Sequence, residues 1–163
     1  MTKLPQQVTP YTMAKRFVGV KEVRGGVTHP LIAFAHNIAE DDDPNHVQAA
    51  NDDETPWCSS FVNLVMYLLY LPRSKSRMAR SWLVVGEPVT LLQAEIGYDV
   101  VVLSRGAGPQ PGADVLTAPG HVGLFAGIAG LDGANVRILG GNQGDSVSER
   151  VYPVHRVLGI RRI

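Results

Sequence analysis

Apolar positions along this chain follow two periods, and the change from one to the other divides it into a helical half and a strand half. From Tyr11 to Glu22, Met13, Ala14, Phe17, Val18 and Val20 recur at helical spacing, and Gly25-Gly26 ends the pattern. Pro30 suits the first turn of a second helix carrying Leu31, Ile32, Phe34 and Ala35, because its fixed φ and missing N–H fit that position. From Trp57 to Leu71 nearly every position is apolar or small, which predicts a central buried helix ending before Pro72. A short helix is expected over Ser76 to Val84. After Gly97 the apolar runs become short and β-branched: Asp99 to Ser104, His121 to Ala126, Asn135 to Gly140 and Val154 to Arg161, separated by Gly, Pro and Asp turns. These predict an antiparallel sheet of four or five strands. Helices followed by strands make an α+β fold.

Composition adds bounds. A chain of 163 residues, 45% apolar with 15 basic and 15 acidic side chains, is expected to form one soluble domain over 1–163 with a proper core. Balanced charge gives no basic field, so nucleic acid is not an expected partner. Residues 39–54 hold Asp41, Asp42, Asp43, Asp52, Asp53 and Glu54, and read as a long solvated loop. Calcium is the alternative there, although the spacing lacks the alternating ligands, Gly and terminal Glu of an EF-hand. The N-terminus lacks the apolar core of a signal peptide and no run approaches a membrane span, so synthesis in the cytoplasm without stable membrane association is expected.

Cys58 is the only cysteine, which excludes an intramolecular disulfide and any CxxC site. It opens the central helix. There, free backbone N–H groups favour a thiolate and can hold an oxyanion, with Asp53, Glu54 or Thr55 as candidate caps. A thiol nucleophile needs a base. His121, at the start of a predicted strand and beside Gly120, is the best placed; His29, His36, His46 and His155 read as surface or packing residues. The base needs a polar group to hold its tautomer. The turn Gly140-Gly141-Asn142-Gln143-Gly144-Asp145 ends the strand after His121, so in an antiparallel hairpin it returns to that histidine. Asn142 is the first candidate, Gln143 and Asp145 the alternatives. Arg73, Lys75, Arg77, Arg80 and Arg105 are suited to attract carboxylates, with a solvated basic surface as the plainer reading of each. A zinc amidase is disfavoured because no HExxH or similar ligand pairing occurs.

Trp57-Cys58-Ser59-Ser60-Phe61-Val62, then Ala79-Arg80-Ser81-Trp82-Leu83, Gly120-His121-Val122-Gly123 and Leu139-Gly140-Gly141-Asn142-Gln143 together resemble the papain-like NlpC/P60 and CHAP superfamily, especially its small phage-associated members. The ordered set carries the resemblance, which runs from Gly19 to Pro153. It implies an NlpC/P60-type fold, with the nucleophile helix packed on a C-terminal antiparallel sheet. It also implies a cofactor-free cysteine peptidase or amidase that cuts the peptide part of bacterial peptidoglycan at the cell wall, as a phage endolysin does. Cys58 would be nucleophile, His121 base and Asn142 orienting group, with thiolate and imidazolium paired; Trp57, Ser59, Trp82 and Gln143 would line the substrate site. Two departures stand out. Trp57 precedes the cysteine where many NlpC/P60 members carry Asp, and the Gln that CHAP relatives place shortly before the nucleophile is missing, which leaves the second oxyanion donor open. The alternatives are a non-catalytic peptidoglycan- or protein-binding module, and a cysteine peptidase or transferase acting on a protein.

Overall fold

The computed structural model describes residues 8–23, 25, 28–40, 55–131 and 133–163. The acidic loop from Asp41 to Glu54, with His46, the calcium alternative and two of the candidate caps, lies outside the described residues. So does the N-terminal segment 1–7.

Among the described residues three α-helices precede the sheet: α1 Pro10–Ala14, α2 Pro30–Ala39 and α3 Cys58–Leu68. The first is shorter than its pattern predicts. It continues only as a 3₁₀ turn over Lys15–Phe17, after which the backbone becomes extended and Gly19 and Val20 exchange hydrogen bonds with Val147. Pro30 does stand at the start of α2, and the His29 imidazole caps it by accepting from the Leu31 N–H at 3.2 Å. The short helix expected from Ser76 is a 3₁₀ segment over Ala79–Val84. No helix among the described residues is long and apolar enough to cross a membrane.

Among the described residues six strands, more than the four or five expected, form one antiparallel sheet: β1 Glu87–Val89, β2 Asp99–Ser104, β3 Gly120–Ala129, β4 Asn135–Gly140, β5 Ser148–Pro153 and β6 Val157–Arg162, in the order β1-β6-β2-β3-β4-β5. The additional strands are the two edges. Both carry Pro and half-exposed polar positions, a pattern that suits an edge and gives little strand signal.

Alternation in the central strands separates two apolar clusters. Val100, Val102, Val122, Leu124 and Leu139 face Trp57, Phe61, Val62 and Val65 of the α3 region. Val101, Leu103, Phe125, Ile138 and Ile160 form the other cluster. α3 is therefore the central buried helix, pressed by its apolar side on the middle of the sheet. Gly141 makes that contact close: a Cβ there would sit 2.8 Å from Phe61 Cβ, nearer than packed atoms allow.

A polar seam fixes the other side of α3. Buried Asn63 donates to the carbonyls of Ser59 and Ser76 and to Ser74 Oγ at 3.0–3.1 Å, and accepts from the Lys75 N–H. This ties the segment after Pro72 to the helix that carries Cys58.

Candidate active site

Cys58 is the first residue of α3, and among the described residues no side chain caps the helix there, since the capping position is Trp57 and not Thr55. The thiol is 2% exposed. Burial pushes its pKa up, against opposing pulls from the backbone N–H groups of Val122, Ser59 and Cys58 itself and from Arg105. Val122 directly follows His121, so the sulfur lies against the start of the strand that carries the histidine.

His121 is buried, and loss of water lowers its pKa to about 4; the hydrogen bond to Gln143 opposes this and the Arg105 charge adds to it. Burial thus favours neutral thiol and neutral imidazole, not the thiolate–imidazolium pair expected from the sequence. Among the described residues no hydrogen bond joins the sulfur to the ring, so the resting site is open by that one contact.

The imidazole has one defined tautomer. Gln143 Nε2 donates to the carbonyls of Gly140 and Ser148, which can only accept, and this turns Gln143 Oε1 toward the ring. Oε1 lies 3.2 Å from His121 Nε2 and accepts from Tyr152 Oη at 2.9 Å. His121 Nε2 must therefore carry the proton and donate. Nδ1 is left with its lone pair, the form a general base requires.

This arrangement corrects several expectations. Gln143, not Asn142, holds the imidazole; Asn142 takes a left-handed backbone conformation with φ 54°, as Gly144 and Asp145 also do. As the buried partner of His121, Gln143 is also withdrawn from the substrate-lining role. Trp57 and Trp82 are wholly buried, their indole N–H groups donating to Glu22 Oε1 at 2.6 Å and Ser59 Oγ at 3.0 Å. Ser59 is buried too, and donates to the Ser76 carbonyl at 2.7 Å. These three residues build the floor beneath the nucleophile and do not line a substrate site.

Arg80 is the other correction. It is wholly buried, not solvated, and donates to the carbonyls of Pro111, Gly112, Val115 and Pro119 at 2.6–3.1 Å. It thereby pins residues 111–119, which lead directly into Gly120 and His121. Sequence reasoning missed Tyr152, whose ring lies 5.5 Å from the imidazole and whose hydroxyl shares Gln143 Oε1. Only the pairing of Tyr152 with Val136 across β5 and β4 brings it there, and a weak edge strand gave no sign of that.

The thiol opens into a cleft of about 260 Å³, walled by Pro56, Met78, Ala79, Ala118 and Pro119 and carrying two cations, Arg77 and Arg105. Among the described residues no group of three His, Cys, Asp or Glu side chains is placed to hold a metal.

Comparison of the chain with protein-family models, curated proteins and solved structures yields no match. The site must be read from its own geometry.

Proposed function

We propose that this protein is a cysteine hydrolase that cleaves an amide bond in the stem peptide of bacterial peptidoglycan, as endopeptidase or N-acetylmuramoyl-L-alanine amidase, on an NlpC/P60-type papain-like scaffold. The observation that carries the reading is the fixed tautomer of His121: a neutral base whose Nδ1 keeps its lone pair, in the same buried site as the lone thiol at the start of α3. The order of elements, with the nucleophile helix packed on an antiparallel sheet, also fits the motif resemblance.

In this mechanism His121 Nδ1 accepts the Cys58 proton as the sulfur forms a bond to the amide carbonyl carbon. The carbonyl oxygen takes the electron pair, facing backbone N–H groups at the start of α3. Collapse re-forms the carbonyl and breaks the C–N bond, and His121 returns the proton to the leaving amine. Water then attacks the thioester, again giving its proton to His121, and the acid leaves as Cys58 regains a proton. A pair that is neutral at rest makes His121 a base during attack, in place of a partner to a preformed thiolate. Stem peptide fits the setting: it offers an open amide with free carboxylates nearby, and the cleft carries cations. A phage endolysin, made in host cytoplasm and acting at the wall, is the role that fits such a domain.

A second reading, a non-catalytic module gripping wall or protein on the same scaffold, is favoured by one observation, the absence of a sulfur–imidazole hydrogen bond among the described residues. Digestion of purified peptidoglycan with mass spectrometry of the released fragments separates the two. Fragments with new amine termini from wild type, and none from folded Cys58→Ala, are expected. Fragments from both proteins would move the chemistry away from Cys58, and fragments from neither would leave the binding module.

A further inference from the structure

We infer that Arg105 is the anion-recognising residue of the Cys58 cleft, and that the ligand entering it presents a carboxylate beside the group that faces the sulfur. The inference deepens the hydrolase reading by naming a specificity residue, and takes from it that the cleft receives substrate.

Arg105 is the first residue beyond β2, exposed, and part of the cleft wall together with Cys58. The other cation, Arg77, is already neutralised by Glu40 at 2.9 Å. Arg105 has no carboxylate in ion-pair reach among the described residues. Most of the remaining wall is apolar, from Pro56, Met78, Ala79, Ala118 and Pro119. A concave, largely apolar wall with one uncompensated guanidinium focuses its field on what enters. A guanidinium fork fits a carboxylate in two parallel hydrogen bonds.

Its position relative to the chemistry is independently marked. The Arg105 charge acts on Cys58, His121 and Tyr152. An anion bound at Arg105 therefore shares the cleft with the thiol, within electrostatic reach of the reacting atoms. For a peptide, this places the free carboxylate on a residue adjoining the scissile amide.

The lone cysteine permits a test that does not depend on hydrolysis. The full chain is alkylated with iodoacetate and with iodoacetamide at the same pH, and the ratio of the two rates is compared with that for glutathione. Both reagents report the same thiolate, so a change in thiol pKa cancels. Wild type is expected to favour iodoacetate about five- to tenfold more than glutathione does, an effect suppressed by 1 M salt. Arg105→Gln should fall to within about twofold of the glutathione ratio and Arg105→Lys should lie between, with thermal melts showing that all are folded. A wild-type ratio no higher than that of glutathione, a high ratio persisting in Arg105→Gln, or no alkylation by either reagent would each overturn the inference. A high ratio lost in Arg105→Gln, in a protein that releases no fragments from peptidoglycan, would uphold the anion site and sink the hydrolase reading alone.

Discussion

Replacing Gln143 and Asn142 in turn separates an anchored imidazole from a merely polar turn. Gln143 is 2% exposed and its side chain makes four hydrogen bonds, to His121, Tyr152, Gly140 and Ser148. In Gln143→Ala the buried His121 Nε2–H and the carbonyls of Gly140 and Ser148 lose these partners, while half-buried Tyr152 can turn to water. Each buried unsatisfied group costs about 1–3 kcal/mol, part of it recovered if water enters the vacated space. The net loss should be about 3–5 kcal/mol, or roughly 10 °C in Tm for a chain of this size. Asn142→Ala removes no hydrogen bond to the imidazole and places Ala at φ 54°, which costs about 1 kcal/mol. The assay is thermal unfolding of both variants, with ¹⁵N NMR of the His121 ring. Wild type and Asn142→Ala should show protonated Nε2 and bare Nδ1; Gln143→Ala should show mixed tautomers, and turnover should drop about a hundredfold or more. The reasoning fails if Asn142→Ala loses as much stability as Gln143→Ala, or if the ring keeps a single tautomer without Gln143.

Other outcomes are as specific. The folded pKa of His121, about 4, lies below its ordinary value of 6.5, so between these values the unfolded chain binds a proton that the folded chain excludes. Stability is then full above about pH 6.5 and falls by about 3 kcal/mol as pH drops toward 4, a slope that should vanish in His121→Gln when Tm is followed against pH. Because burial raises the Cys58 pKa, its alkylation by iodoacetamide should rise with a midpoint above that of an ordinary thiol; a midpoint below it would show a preformed thiolate. Arg80→Met removes four charge-assisted hydrogen bonds and should expose residues 106–119 to proteolytic nicking before global unfolding, which limited digestion would detect. Gly141→Ala forces a methyl into Trp57 and Phe61 and should cost about 2 kcal/mol or more by denaturant titration.

The sequence was most informative where one period was sustained. α2, α3, β2 and β4 fall on their predicted residues to within a few positions, because each carries an uninterrupted apolar pattern. Residues 15–22 misled for the converse reason: their apolar spacing suits a helix, but the backbone leaves it to bond Val147, a partner far along the chain. At the site, Cys58 and His121 were legible from position alone, one at a helix start and one at a strand start. The choice among Asn142, Gln143 and Asp145 was not, since it depends on which turn residue is left-handed and which turns inward. Trp57, Ser59 and Trp82 looked like contact residues because aromatic and hydroxyl groups near a nucleophile serve equally well as floor. Arg80 was illegible for a similar reason: nothing in an isolated arginine distinguishes a solvated cation from one enclosed by backbone carbonyls.

That enclosure has a mechanical consequence. Arg80 clasps four carbonyls with no carboxylate behind it among the described residues, so one side chain joins the 3₁₀ segment over Ala79–Val84 to the run that enters the base strand. The wall formed by residues 111–119 and the base strand are thus registered to each other by a single fastener. Whatever loosens the wall should therefore also let Gly120 and His121 drift from Cys58, so that the shape of the cleft and the placement of the base fail together and not one after the other.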